Sequence, residues 1–256
     1  MTSNTVISLD KVSVCYRLAS HRVPSLKEYA IHLVTGSLTY RQLWALSEVT
    51  FSVAKGENLG IIGRNGAGKS TLLKVISRVL KPTGGKISVT GTVAPILALG
   101  TGFDYELTGR ENILLNALLL GHSRREVTER IGEIVEFSGL GDFVNSPVRN
   151  YSSGMVTRLG FAVATAWLPD LLLLDEVLSV GDAHFVKRCN ERIAQFRAAG
   201  TTILMVSHQI TEVSRNCTRC VWLDDGKVRA DGDPEKVVAE YEASVASQKA
   251  PAKGGA

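Results

Sequence analysis

An α/β fold built on a parallel sheet is what this sequence predicts, and three stretches predict it. The apolar run ENLGIIG leads through the glycine-rich turn GRNGAGKST, Gly63–Thr71, into the amphipathic STLLKVISRVL, which stops before Pro82. Four consecutive leucines in LLLLDE, Leu171–Glu176, read as a strand buried on both faces. TTILMVSH reads as a further strand, with the helical AHFVKRCNERIAQFRAAG between the two. Strand, helix and strand in succession imply a parallel, right-handed crossover.

Bulk properties narrow the classes. A chain of 256 residues makes one large α/β domain or two small ones. Its 45% hydrophobic and 21% charged residues are ordinary for a globular protein with a real core. A net charge of +4 permits a phosphate or membrane-surface partner, and no nucleic-acid module is visible, so no nucleic-acid partner is expected. The four cysteines do not read as a disulfide framework. Cys217 and Cys220 form one CxxC with no second ligand pair, which argues against a zinc site. The N-terminus MTSNTVISLDKVSV lacks the layout of a secretion signal, and the longest apolar segments are too short to span a bilayer. A cytosolic chain is expected, with any membrane crossing left to another subunit.

The remaining elements follow in order. Alternation in VISLDKVSVCY and VTFSV predicts strands, separated by a segment from about Arg17 to Leu43. Its middle, SLKEYAIHLVTG, reads as a short helix with Ser25 as N-cap and Gly36 as stop. KPTGGKISVTGTVAPIL reads as hairpin strands with glycine turns. From about Leu107 to Leu168 the pattern is mostly helical, in TGRENILLNALLL, REVTERIGEIVEFSGL and MVTRLGFAVATAWL. CVWLDD reads as a late strand, DPEKVVAEYEASVA as the last helix, and SQKAPAKGGA as a disordered tail.

The chemistry concentrates in two places. Gly63, Gly68, Lys69 and Ser70 fit G-x-x-x-x-G-K-[ST] between a strand and a helix. Glycines let backbone N–H groups curl around phosphate oxygens, and the helix N-terminus adds positive potential. Lys69 supplies a point charge for β- and γ-phosphates, and Ser70 a hydroxyl ligand for Mg²⁺. At the carboxyl end of LLLLDE, Asp175 is placed to hold the Mg²⁺ water shell and Glu176 to polarise an attacking water.

With these residues in place, the chain resembles the nucleotide-binding subunits of ABC transporters over nearly its full length. The resemblance implies an ABC-type P-loop NTPase over residues 1–245. That fold is a RecA-like core with an antiparallel β subdomain, a helical subdomain at about 104–168 and an inserted basic helical segment at about 17–43. Residues 246–256 would be tail. ATP would be bound by Tyr16, stacking on adenine, and by Gly63, Arg64, Asn65, Gly66, Ala67, Gly68, Lys69, Ser70 and Thr71. Ser70 and Asp175 would hold Mg²⁺. Lys69, Glu176 and His208 would be catalytic, His208 as the switch histidine. YSSGM, Tyr151–Met155, sits where the family carries its signature, usually LSGGQ. Tyr151, Ser152, Ser153, Gly154 and Met155 would meet ATP held by a second copy in a head-to-tail dimer, and Asp182 belongs to the loop that reaches across it.

Three departures refine the expectation. Tyr151 and Met155 replace the common Leu and Gln of the signature, and Val177 stands where proline usually follows the catalytic Glu. With VLSVGD and ALGTGF, these look like the branch that exports O-antigen, teichoic acid and related polysaccharides, and within it like the ATP-binding subunits of mycobacterial galactan exporters. Near Ala98, relatives carry a Gln that meets Mg²⁺ and the membrane subunit; a methyl group cannot ligate a metal. The 17–43 segment holds four Lys or Arg against Glu28 alone. In that branch a helix here lies near the membrane, so Arg22, Lys27, Tyr29, Tyr40 and Arg41 would serve anionic headgroups or pyrophosphate; a solvated basic helix is the equal alternative. Some relatives add a carbohydrate-binding module, and none is expected here.

The implied function is an ATPase that drives export of a lipid-linked polysaccharide (galactan, O-antigen or teichoic-acid-like) through two copies of a separate membrane permease. It would act at the cytoplasmic face of the membrane. The alternatives are a small-lipid or drug exporter, or a soluble ABC ATPase acting on ribosomes or chromosomes.

Overall fold

The computed structural model describes residues 4–19, 40–96, 99–175, 182–207 and 209–249. The chain starts as two 15-residue strands, β1 (Thr5–Ala19) and β2 (Tyr40–Ala54), paired antiparallel. β3 (Asn58–Ile62) enters a second sheet and hands over through a glycine-rich loop to helix α1 (Lys69–Ile76). β4 (Gly84–Val89) returns to the first sheet beside β1, and β5 (Val93–Ile96) joins the second. Three helices follow: α2 (Gly109–Leu119), α3 (Arg124–Ser138) and α4 (Ser153–Ala164). The second sheet resumes as β6 (Leu171–Asp175), α5 (Ala183–Ala198), β7 (Thr202–Val206) and α6 (Ile210–Asn216). β8 (Arg219–Asp224), β9 (Lys227–Gly232) and α7 (Pro234–Lys249) end the described chain. Strand orders are β2-β1-β4 and β5-β6-β7-β3-β8-β9, the second parallel except for β9.

The four leucines explain how the layers join. Neighbouring side chains on a strand point to opposite faces. Leu171 and Leu173 therefore pack with the antiparallel sheet and α1, while Leu172 and Leu174 pack with α2, α3, α4 and α5. β7 repeats the pattern, with Leu204 and Val206 on one side and Ile203 and Met205 on the other. Each fully buried leucine contributes roughly 1.5–3 kcal/mol of apolar transfer. The six-stranded sheet is thus the shared wall of two cores, and the ends of β3, β6 and β7 come together at its middle.

The helical layer is set by local signals. Thr108 with Glu111 and Ser123 with Glu126 form capping boxes at α2 and α3. Buried Asn112 holds the entry to this layer: its Oδ1 accepts from Asp104 N at 2.8 Å, and its Nδ2 donates to Asp104 O at 2.8 Å. That tie lies at the start expected for the helical subdomain.

Three expectations are corrected. KPTGGKISVTGTVAPIL is not a hairpin, because β4 and β5 lie in different sheets. The N–H and hydroxyl of Thr92 donate to Asp170 Oδ2 at 2.8 and 2.9 Å, drawing the chain across to the edge of β6. Glycine turns alone do not say to which sheet the next strand goes. The insert is also narrower than 17–43, since Arg17 pairs with Gln42, Leu18 with Arg41 and Ala19 with Tyr40 as the ends of β1 and β2. The Ser25–Gly36 helix lies outside the described residues. Finally, α7 continues through Lys249, so residues 246–249 are helical rather than tail; no helix breaker precedes Pro251.

Candidate functional site

The site begins where β3 ends. Leu59, Ile61 and Ile62 are buried, and Gly63 leads the chain out at φ 150°. A Cβ at Gly63 would lie 2.1 Å from Leu223 O, and one at Gly68, φ 103°, 2.4 Å from Ala45 O. Only a glycine fits either position, so the loop can lie flat against β2 and β8. The β8–β9 turn fastens it from below: Gly226 N donates to Ala67 O at 3.0 Å, and Ser47 N donates to Gly226 O at 2.8 Å.

Lys69 is buried at 6% exposure. Its Nζ donates to Gly63 O at 2.6 Å and Arg64 O at 2.9 Å, which holds the ammonium inside the loop. The first turn of α1 carries no acidic residue and no side-chain cap, so its N-terminal potential stays positive. A cation, a left-handed glycine loop and an uncapped helix start together form an anion cradle.

A cavity of about 570 Å³ opens above this loop. Tyr16, Leu43 and Ala45 line it from the antiparallel sheet, Asn65, Gly66, Gly68, Lys69, Ser70 and Thr71 from the loop and α1, and Asp175 and Val206 from β6 and β7. The predicted Tyr16, phosphate loop and Asp175 thus converge on one space large enough for a nucleotide. Gly63, Arg64 and Ala67 do not line it; they shape the loop, Arg64 O accepting from both Lys69 Nζ and Ala67 N. The Ser70 hydroxyl and Asp175 carboxylate face the same space and are hard oxygen donors, a set that suits Mg²⁺. Leu43, Ala45 and Val206 went unforeseen. Leu43 pairs with Tyr16 across the strands, so their shared face is legible only once the register is known.

The signature residues lie elsewhere and do not line the cavity. Ser152 caps α4, its Oγ accepting from Met155 N at 3.2 Å. Ser153 and Gly154 open that helix, whose first turn is free of acidic residues, so it too presents a positive end. The Tyr151 hydroxyl donates to Phe143 O at 2.8 Å, burial pushing its pKa above the ordinary value. Tyr151 also stands against Gly109, where a Cβ would lie 2.2 Å from its hydroxyl. Ser152 and Ser153 are exposed and open to a partner.

Asp182 caps α5, accepting from Phe185 N at 2.9 Å, and pairs with Arg158 of α4. Its pKa is lowered, first by the Phe185 N–H and also by Arg158. Arg158 was not singled out from sequence, because nothing local marks its partner. Glu176, His208, Ala98, Arg22, Lys27 and Tyr29 lie outside the described residues, as does the side chain of Tyr40. Burial pushes the Cys217 and Cys220 thiols up to about 11 and about 12, so both stay protonated at neutral pH.

Comparison with known proteins agrees with this geometry. The family model described as ABC transporter matches residues 46–179. The chain is 45% identical over 243 residues to the O-antigen export system ATP-binding protein RfbB of Klebsiella pneumoniae, covering 94% of this chain and 99% of that one. It is 43% identical over 208 residues to the teichoic acids export ATP-binding protein TagH of Lactococcus lactis, covering 81% of this chain and 44% of that one. In fold it matches the dimeric structure of the ATP-binding cassette MJ0796 bound to ADP and Pi. There the TM-score is 0.69 at 21% identity, covering 89% of this chain and 98% of that one. Family match, full-length relatives and a nucleotide-sized cavity above the phosphate loop point one way: the chain belongs to the ABC transporter family, as an ATPase coupled to transport.

Proposed function

We propose that this chain powers export of a lipid-linked polysaccharide across the cytoplasmic membrane through a separate transmembrane subunit. The observation that carries the reading is the match to an O-antigen export ATP-binding protein along 94% of this chain and 99% of that one. Teichoic-acid and O-antigen exporters recur among the similar proteins, and the signature and Val177 departures point to the same branch. Within it, galactan on a pyrophosphate lipid is the cargo the motifs favour. No described helix is long and apolar enough to cross a membrane, which fits a peripheral subunit held by two permease copies.

In this reading two copies close head to tail on two ATP molecules. The positive start of α4, free of acidic residues and capped by Ser152, covers with Ser153 the γ-phosphate bound by the partner. Lys69 and the loop amides stabilise charge on the transferred phosphoryl group, and Glu176 orients the attacking water. His208, in the place of the family's switch histidine, contacts the γ-phosphate. Ser70 and Asp175 would hold Mg²⁺, which would supply charge neutralisation at the phosphates.

The test is ATP-driven translocation in inside-out membrane vesicles from cells depleted of this chain. Adding the purified protein should restore movement of the lipid-linked glycan into the lumen, and Glu176→Gln should bind ATP, stay closed and move nothing. Restored ATPase with no glycan movement in either direction would refute the cargo.

A further inference from the structure

The two strands that hold the adenine-side wall also carry a second feature on their opposite face. β1 and β2 change register between Leu9 and Val12, between Val12 and Val14, and again between Val14 and Cys15. Such irregularities re-aim side chains. The last one pairs Tyr16 with Leu43 and Cys15 with Trp44. Because neighbours alternate, Leu43 turns with Tyr16 to the nucleotide cavity and Trp44 turns outward. Trp44 is 52% exposed, although an aromatic ring on a sheet face usually gains from cover.

Trp44 stands in a cleft of about 510 Å³ with Asp10, Lys11, Glu48 and Lys86. A second depression of about 530 Å³ adjoins it, sharing Asp10 and Lys86 and continuing past Ser8 and Ser88. Together they run along β1 and β4, where Asp10 faces Lys86 and Ser8 faces Ser88 across the strands. Among the described residues, the side chains of Asp10, Lys11, Glu48 and Lys86 make no hydrogen bond or ion pair. Lys11 and Glu48 also sit at positive φ, 50° and 51°, a backbone cost that only holds where surroundings impose it.

We propose that this groove binds a segment of a neutral, linear glycan. Two carboxylates and two ammonium groups balance, so the groove offers no net attraction to a polyanion or an anionic membrane. Unpartnered acceptors and donors beside hydroxyls match a chain of sugar hydroxyls. The exposed indole face supplies the apolar platform on which a pyranose ring stacks. Two adjoining depressions with a shared middle fit an extended polymer better than a compact ligand. The choice of glycan rests on the export reading above. The sheet that contacts adenine would then contact cargo on its other side.

The test titrates the full purified chain with neutral galactan, mannan and rhamnan fragments and follows tryptophan fluorescence. Heparin fragments serve as the charged control. At least one neutral fragment should bind and shift the emission, and Trp44→Ala, with a melting curve like the parent's, should weaken binding by about tenfold. If Trp44→Ala does not fold, the pair Asp10→Asn and Lys86→Met, read by calorimetry, replaces it with the same expectation. The proposal is overturned if no neutral fragment binds, if heparin binds more tightly than all of them, or if the folded variants bind as the parent does. A chain that restores glycan translocation in vesicles yet binds no fragment sinks the groove and leaves the export function standing.

Discussion

Asp182 pairs with Arg158, so the residue that starts α5 is tied to the helix that starts at the signature. The N-cap of α5 and the helix that opens with the signature residues therefore share one charged contact. Asp182→Asn keeps a competent N-cap and loses only the ion pair; Asp182→Ala loses both. Differential scanning fluorimetry should find the Ala variant less stable than the Asn variant. MgATP turnover should fall in both, and in Arg158→Met. Parent-like turnover in all three would remove this contact from the catalytic cycle.

Lys69→Ala should lower MgATP turnover by about a hundredfold or more, because it deletes the one buried cation of the phosphate loop. Steady-state phosphate release measures it, with circular dichroism as the control for folding.

Gly66 and Gly68 separate conformation from space. A Cβ at Gly66 meets nothing within 4 Å, while one at Gly68 would lie 2.4 Å from Ala45 O. Gly66→Ala should cost about 1–2 kcal/mol from its positive φ alone. Gly68→Ala should cost more, and should impair ATP binding by fluorescent-nucleotide titration more severely.

Leu43 offers a test of whether the Tyr16–Leu43 face of the cavity meets the base. Leu43→Asp should weaken ATP binding by about tenfold, since it removes an apolar face beside Tyr16. Inorganic tripolyphosphate, which has no base, should bind the variant as it binds the parent. Equal losses for both ligands would show that Leu43 acts through the fold.

Acid should weaken the fold in a defined window. Glu111 and Glu126 are held below their ordinary 4.5 by capping-box hydrogen bonds, and Asp170 and Asp182 below 3.8 by backbone N–H donors. A lowered folded pKa means that the unfolded chain takes up protons first. The stabilisation is then complete above about pH 4.5 and lost as pH falls through the lower folded values. Urea midpoints should drop below about pH 5, after a smaller decline from about pH 6.5, where burial holds the His122 pKa below its ordinary value. Thr92→Val should shrink the acid drop by removing the hydroxyl bond to Asp170 while the backbone N–H bond stays.

Much of this was legible in the chain, for physical reasons that differ by element. The phosphate loop was readable because backbone curvature, helix start and cation all lie within nine consecutive residues. LLLLD was readable because a strand buried on both faces needs an unbroken apolar run. The β4–β5 switch was not, since the choice between sheets is made by Thr92 and Asp170, 78 positions apart. The outer parts of β1 and β2 were hidden too. Arg17, Leu18, Arg41 and Gln42 look like loop, and become strand only by pairing, Arg17 with Gln42 and Leu18 with Arg41. Leu43 and Arg158 share that cause: each acquires its role from a partner that register or tertiary packing supplies.

The most direct test of the central claim is depletion of this chain in its native cell, followed by mass analysis of lipid-linked glycans. A polymer on a pyrophosphate lipid should accumulate, and a complementing parent copy should clear it while a Lys69→Ala copy does not. If no glycan accumulates, polysaccharide export is contradicted, and the chain remains an ABC ATPase whose transporter moves a different cargo.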